Sequence, residues 1–140
     1  MDKKWYGLGL LTALVLLFSF SGCASLGGDV SEAGLRARVE AEWKARKNNE
    51  WGAVYDMTIA AYQEKMTRNN FIKRANINVK GYEIKEVRVI EPEKKGFALV
   101  HYQMKHLGYT FPAKSKEEWL WENGEWRLNL LPTLKLPFEK

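Results

Sequence analysis

The chain reads as an α+β domain, with three N-terminal helices packed on a curved, about four-stranded antiparallel sheet. Three observations lead there. Over residues 29–75 the apolar positions recur every three or four residues, the period of a helix with one buried face. After Gly81 the period falls to two, the pattern of strands with one face in a core. Asn123-Gly124 then supplies a two-residue turn between two tryptophan-bearing segments, which makes the last two strands an antiparallel hairpin. Helices first and strands after is the order in which helices collect on one side of a sheet.

The first helix begins after Asp29. Asp29 and Glu32 have the spacing of a capping box, with Asp29 as the cap. Leu35, Val39 and Trp43 follow at intervals of four and form one apolar stripe. Arg36, Arg38, Glu40, Glu42, Lys44, Arg46 and Lys47 are assigned to the other, solvated faces. Asn48-Asn49 ends this helix. A short second helix carries Trp51, Val54 and Tyr55 on one side and Asp56 at its end, and Ile59 and Tyr62 continue the pattern in a looser segment. Thr67 is placed to cap a third helix, with Phe71, Ile72 and Ala75 facing inward.

Val87 and Val89 alternate with charged residues in the first strand, and residues 92–96 form the connection to the second. The second strand, residues 97–104, presents Ala98, Val100, Tyr102 and Met104 on its more apolar face. Leu107-Gly108-Tyr109 signals a turn, and residues 117–122 and 125–131 form the third and fourth strands. Both residues of Asn123-Gly124 tolerate positive φ and suit a type I′ turn. That turn sets the register: Glu122 opposite Glu125, Trp121 opposite Trp126, Leu120 opposite Arg127, and Trp119 opposite Leu128. One hairpin face then carries Trp119, Trp121, Trp126, Leu128 and Leu130. The other, with Glu118, Leu120, Glu122, Glu125, Arg127 and Asn129, reads as a water face.

The N-terminus has a different character. Lys3 and Lys4 precede a nearly unbroken apolar run over residues 7–20, and Ser21-Gly22 supplies small residues just before Cys23, the only cysteine. This is the anatomy of a signal peptide. A thiol directly after the small pair resembles the lipobox of bacterial lipoprotein precursors, in which the cysteine is acylated and the preceding peptide bond cut. An uncleaved anchor is the alternative, since residues 5–24 are long enough to span a bilayer as a helix. The lipoprotein resemblance implies a signal peptide at 1–22, a lipidated tether at 23–28, a domain at 29–131 and an irregular tail at 132–140. It also implies membrane attachment through Cys23 in a bacterial cell envelope. With Ala24 and not aspartate after the cysteine, the sorting habit of such proteins points to the periplasmic face of the outer membrane.

Composition narrows the chemistry. From Cys23 onward 118 of the 140 residues remain, enough for one domain. A second thiol is absent, so no intramolecular disulfide and no cysteine-based metal site can form, and no cofactor is expected. The net charge of +5 is spread along the chain without a run of like charges, which excludes a nucleic-acid footprint. No Gly-rich phosphate loop, nucleophile elbow or His-Glu-x-x-His helix occurs. Four ionisable residues are candidates for acid or base work: Asp56, Glu64, His101 and His106. Asp56 lies beside two aromatic residues, and His106 has the parity of Tyr102 and Met104. Glu117 and Glu118 point to opposite faces of a strand and cannot act as a pair.

Helix order, sheet order and three segments together resemble the nuclear transport factor 2-like superfamily, the cone-shaped fold that includes ketosteroid isomerase. The segments are Trp51-Gly52-Ala53-Val54-Tyr55-Asp56, Thr67-Arg68-Asn69-Asn70-Phe71 and the hairpin from Glu117 to Arg127. The resemblance implies that Trp43, Tyr55, Tyr62, Val87, Val100, Tyr102, Trp119, Trp126 and Leu128 line or fill the cone. It does not select an activity, because such folds host isomerases, dehydratases and non-catalytic modules. The expected function is a lipid-anchored, non-catalytic envelope protein binding a small hydrophobic ligand or a protein partner. An isomerase- or dehydratase-type enzyme using Asp56 or His106 is the alternative, and a structural assembly subunit of the envelope is the third.

Overall fold

A computed structural model of the chain describes residues 28–132, residue 93 excepted. The segment read as a signal peptide, the lipidation site Cys23, the tether up to residue 27 and the tail from residue 133 lie outside the described residues.

Helix α1 (Glu32–Lys47) starts two residues later than the capping box places it. Ser31 is the N-cap, its hydroxyl accepting the Gly34 N–H at 3.3 Å, while Asp29 accepts the Ser31 N–H at 2.9 Å in a local turn. Glu32 does not close a box: its carboxylate accepts the Val89 N–H and ties the helix start to the first strand. After α2 (Trp51–Asp56), the segment read as loose forms a helix of its own, α3 (Ala60–Lys65), so four helices precede the sheet instead of three. One turn is too short for a periodic signal to emerge. Tertiary hydrogen bonds hold it: the Gln63 amide donates to the carbonyls of Tyr55 and Thr58, and the Tyr55 hydroxyl to that of Met66. Helix α4 (Arg68–Arg74) has Thr67 as its cap, accepting the Asn70 N–H at 3.3 Å. Phe71 and Ala75 turn partly inward, whereas Ile72 is exposed.

The four strands β1 (Asn78–Glu91), β2 (Lys95–His106), β3 (Tyr109–Glu122) and β4 (Glu125–Asn129) pair antiparallel in chain order. Three register shifts in β1 mark places where a strand bends. Asn123 and Gly124 have φ of 51° and 80°, and the hairpin register is the one the turn dictates. Trp121 and Trp126 meet edge to face with centroids 5.2 Å apart. Strand β3 begins eight residues earlier than the sequence pattern places it, and it contains Pro112. Strand β4 is short and pairs only with residues 118–122, so the first part of β3 is a sheet edge, where a proline is tolerated. On the other side of β4 the chain adds a parallel bridge: Leu128 N–H donates to Met57 O at 2.8 Å, and Ile59 N–H to Leu128 O at 3.0 Å.

The main core lies between α1 and the sheet. Leu35, Val39 and Trp43 meet Val79, Ala98, Val100, Trp119, Trp126 and Leu128, all buried. At Gly96 a Cβ would sit 2.3 Å from a Leu35 methyl, so α1 rests directly on the backbone of β2. A smaller cluster, Ala45, Trp51 and Val54, joins α2 to α4 with Phe71, Ala75 and Ile77 packed against it. Gly28 N–H donates to Gly124 O at 2.8 Å, so the chain comes in at the β3–β4 turn. Each of these contacts lies within residues 28–132, so a protein beginning at Gly28 keeps all of them and carries its own core.

The hairpin face read as a water face is partly closed. Glu118 is buried and accepts from the Asn129 amide at 2.6 Å, and Arg127 reaches over the sheet edge to the Asp56 carbonyl at 2.7 Å.

Candidate functional site

Three charged side chains sit inside the helix–sheet core. Glu42 and Arg46 are four residues apart on α1, three beyond Val39 and Trp43 respectively, so the buried stripe includes both. Glu117 is two residues before Trp119 and shares its inward face. Arg46 donates to Glu42 Oε1, and its guanidinium lies 4.9 Å from the Trp43 ring centroid and 5.9 Å from that of Trp51. Glu117 is held by three donors: Trp43 Nε1 at 2.8 Å, Trp119 Nε1 at 3.2 Å and the Ser115 hydroxyl at 3.3 Å.

Two buried carboxyls thus share one cation, and the electrostatics follow. Burial pushes Glu42 up to about 8, the negative charge of Glu117 adds to the shift, and Arg46 opposes it. Burial also raises Glu117, against the pull of Arg46 and of its hydrogen-bond donors. Burial alone would lower Arg46, but Glu42 and Glu117 hold it above its ordinary value. Glu42 Oε2 has no hydrogen-bond partner among the described residues. A protonated Glu42 leaves one carboxylate, Glu117, to balance Arg46, which lowers the cost of burying all three groups.

Arg46 also forms part of the wall of a cavity. About 200 Å³ opens beside it, bounded by Trp51, Tyr62, Phe71, Ile77 and Leu130, with Arg74 and Asn76 among its other boundary residues. A more open groove of about 530 Å³ crosses β1, β2 and β3 at Tyr82, Glu83, His101, Tyr102, Ala113 and Lys114. Neither Glu42 nor Glu117 bounds either space.

The residues singled out from the sequence fall into separate places. Trp43, Trp119 and Trp126 fill the packed core. Tyr102 lies against Trp43 with centroids 4.8 Å apart and looks into the groove. Tyr55 is buried, its hydroxyl donating to Met66 O at 2.8 Å. Tyr62 bounds the smaller cavity, with its ring edge-on to Phe71. Asp56 is exposed and paired with Arg68 at 3.0 Å, and His106 is exposed at the end of β2, so neither acid/base candidate reaches the core. Glu64 is exposed and His101 half-buried on the groove. The charged groups that gather in the core are Glu42, Arg46 and Glu117, which the sequence pattern assigns elsewhere. Their signal was positional: helix spacing for the first two, strand parity with Trp119 for the third. Among the described residues no three His, Cys, Asp or Glu side chains gather as a metal site would require.

No protein family and no curated protein matches this chain. Among solved structures it is similar to a SEC-C motif containing protein from Rhodopseudomonas palustris, determined in solution. The TM-score is 0.54 at 9% identity, covering 70% of this chain and 84% of that one. A likeness at that identity is one of fold alone: N-terminal helices packed on a four-stranded antiparallel sheet.

Proposed function

We propose that this protein is a lipid-anchored component of a bacterial envelope, attached through Cys23, whose domain binds a small hydrophobic ligand without transforming it. The observation that carries the binding reading is the cavity bounded by Trp51, Tyr62, Phe71, Ile77 and Leu130. Aromatic and aliphatic walls with a few fixed polar groups are what small-ligand sites are made of. Binding is favoured over catalysis because the two buried carboxyls, Glu42 and Glu117, are sealed in the core away from that wall, and among the described residues no carboxylate or imidazole bounds the cavity. An enzyme of the isomerase or dehydratase type would need an acid or base at its substrate, and neither Asp56 nor His106 bounds this cavity. The anchoring reading rests on the residue order Lys3-Lys4, apolar run, Ser21-Gly22-Cys23, and the outer-membrane assignment on Ala24.

Two measurements test the two parts. Labelled palmitate fed to cells is incorporated into the wild-type chain and not into Cys23→Ser; equal labelling of both overturns the anchor. The protein spanning residues 28–140 is titrated with 1-naphthol and followed by tryptophan emission, since Trp51 stands in the cavity wall. Saturable binding, lost in Ala75→Phe with the fold intact, is the expected result, because Ala75 bounds the cavity and the larger side chain occupies it. Binding that is non-saturable, or unchanged by Ala75→Phe, removes the cavity from consideration and leaves a protein partner as the reading to pursue.

A further inference from the structure

The β2–β3 hairpin ends in a turn that displays apolar side chains. Leu107 and Gly108 both have positive φ, 49° and 86°, and Leu107 is 83% exposed. Leucine in the left-handed region is an uncommon and unfavourable conformation. Here that conformation sets an aliphatic side chain at the extremity of the hairpin, in water. Tyr109 and Phe111, 72% and 46% exposed, follow on one face of β3 with ring centroids 6.4 Å apart. All three are exposed within five residues of one hairpin end, an apolar display of the kind that marks an interaction site.

Charge says what that patch meets. Residues 104–116 contain Lys105, Lys114, Lys116 and His106, and no aspartate or glutamate. The strand register puts Lys105, Lys114 and Lys116 on the face opposite Tyr109 and Phe111. None of the three lysines has a carboxylate partner among the described residues. By register Glu83 lies beside Lys114 across His101 and Glu86 beside Lys116 across Leu99, and these are taken up by Lys85 at 2.6 Å and by Arg88, while Glu118, two residues beyond Lys116, accepts from the Asn129 amide. The tip is therefore an apolar and aromatic end with cations of one sign behind it. Tyrosine and phenylalanine rings belong at the boundary between hydrocarbon and headgroups, and long lysine stems let ammonium groups reach lipid phosphates.

We propose that the Leu107–Phe111 tip docks on an anionic lipid bilayer, with Leu107, Tyr109 and Phe111 entering the headgroup region and Lys105 and Lys114, the lysines nearest the tip, reaching toward lipid phosphates. This contact is distinct from the proposed anchor. The chain comes in beside Gly124, at the far end of β3, and 14 residues at roughly 3.3 Å each put that end about 45 Å from the tip. A protein without residues 1–27 therefore tests the tip alone.

The test is sedimentation of the protein spanning residues 28–140 with vesicles of phosphatidylcholine mixed with phosphatidylglycerol, against pure phosphatidylcholine. Binding to the mixed vesicles that weakens with salt is expected. The double variant Tyr109→Ser, Phe111→Ser keeps every charge and touches only exposed positions. It should bind about tenfold more weakly at an unchanged Tm. A tip that only shares a diffuse electrostatic attraction would give equal binding for the variant and wild type, which overturns the proposal. Failure of the wild type to bind mixed vesicles also overturns it. So does a photoreactive group at position 109 that crosslinks in cells to an envelope protein and not to lipid, which would make the tip a protein-docking element.

Discussion

The two apolar clusters of this domain are built differently. Between α1 and the sheet, six side chains, Leu35, Val39, Ala98, Val100, Trp119 and Leu128, are fully shielded from water, and Trp43 and Trp126 nearly so. Around α2, α3 and α4 the buried apolar side chains are Ala45, Trp51, Val54, Tyr55 and Ile59, of which only Val54 is fully shielded, and neither α3 nor α4 buries a residue. Both regions hold aromatic rings, so composition does not separate them. What separates them is neighbours. A 16-residue helix laid on a sheet meets partners along its whole length, whereas the helices of six or seven residues pack on one another and on the end of α1 and leave a cavity there. Stability is concentrated in the first region, and the second keeps a cavity of about 200 Å³.

The sharpest way to break that contrast is a pair of truncations. Trp126→Ala, in the tight core, should cost ~3–5 kcal/mol in denaturant unfolding. Phe71→Ala, half-buried beside the cavity, should cost about 1–2 kcal/mol. Equal costs would mean that the two clusters are one cooperative core.

A smaller effect comes from the buried charges. Burial raises the folded-state proton affinity of Glu42 from 4.5 to about 8, so the folded protein holds a proton that the unfolded chain releases earlier. That contribution is fully present below about pH 4.5 and is lost as pH rises toward about 8. Chemical unfolding measured across that window should show stability falling with pH, and Glu42→Gln should flatten the fall. A variant profile as steep as that of the wild type would assign the proton elsewhere.

The smallest effect belongs to the loose region. Thr67→Ala removes the α4 cap and should cost about 1 kcal/mol. Hydrogen exchange should then speed up in α4 and leave α1 untouched.

The same contrast explains what the sequence revealed. The α1 stripe, the Thr67 cap and the hairpin register were legible because each follows from a local rule: helical spacing, a hydroxyl at a helix start, a two-residue turn. α3 was not, because hydrogen bonds from Gln63 and Tyr55 hold it and no repeat within its six residues announces it. The early start of β3 was hidden by Pro112, whose tolerance depends on where β4 ends. Glu42, Arg46 and Glu117 lie at positions that the buried periodicity includes, yet a charge at such a position is ordinarily solvated. Their burial rests on one another and on the indole N–H groups of Trp43 and Trp119, a relation between distant residues that no single segment displays.

The short bridge of Thr58 to Leu128 has a consequence for self-association. A sheet of four strands in chain order leaves two outer strands able to accept another copy's backbone. On β4 the central N–H and C=O, those of Leu128, are already engaged by Met57 and Ile59, so a fifth strand finds its template occupied. On β1 the template is long but irregular, with three register shifts, and Lys80, Glu83, Lys85 and Arg88 are exposed along it. Irregular pairing and edge charge both discourage strand addition. The β4 border is thus occupied by the chain's own loop and the β1 border is made unattractive, so open strand template is confined to the first part of β3, where Pro112 lacks an N–H to offer a neighbouring copy.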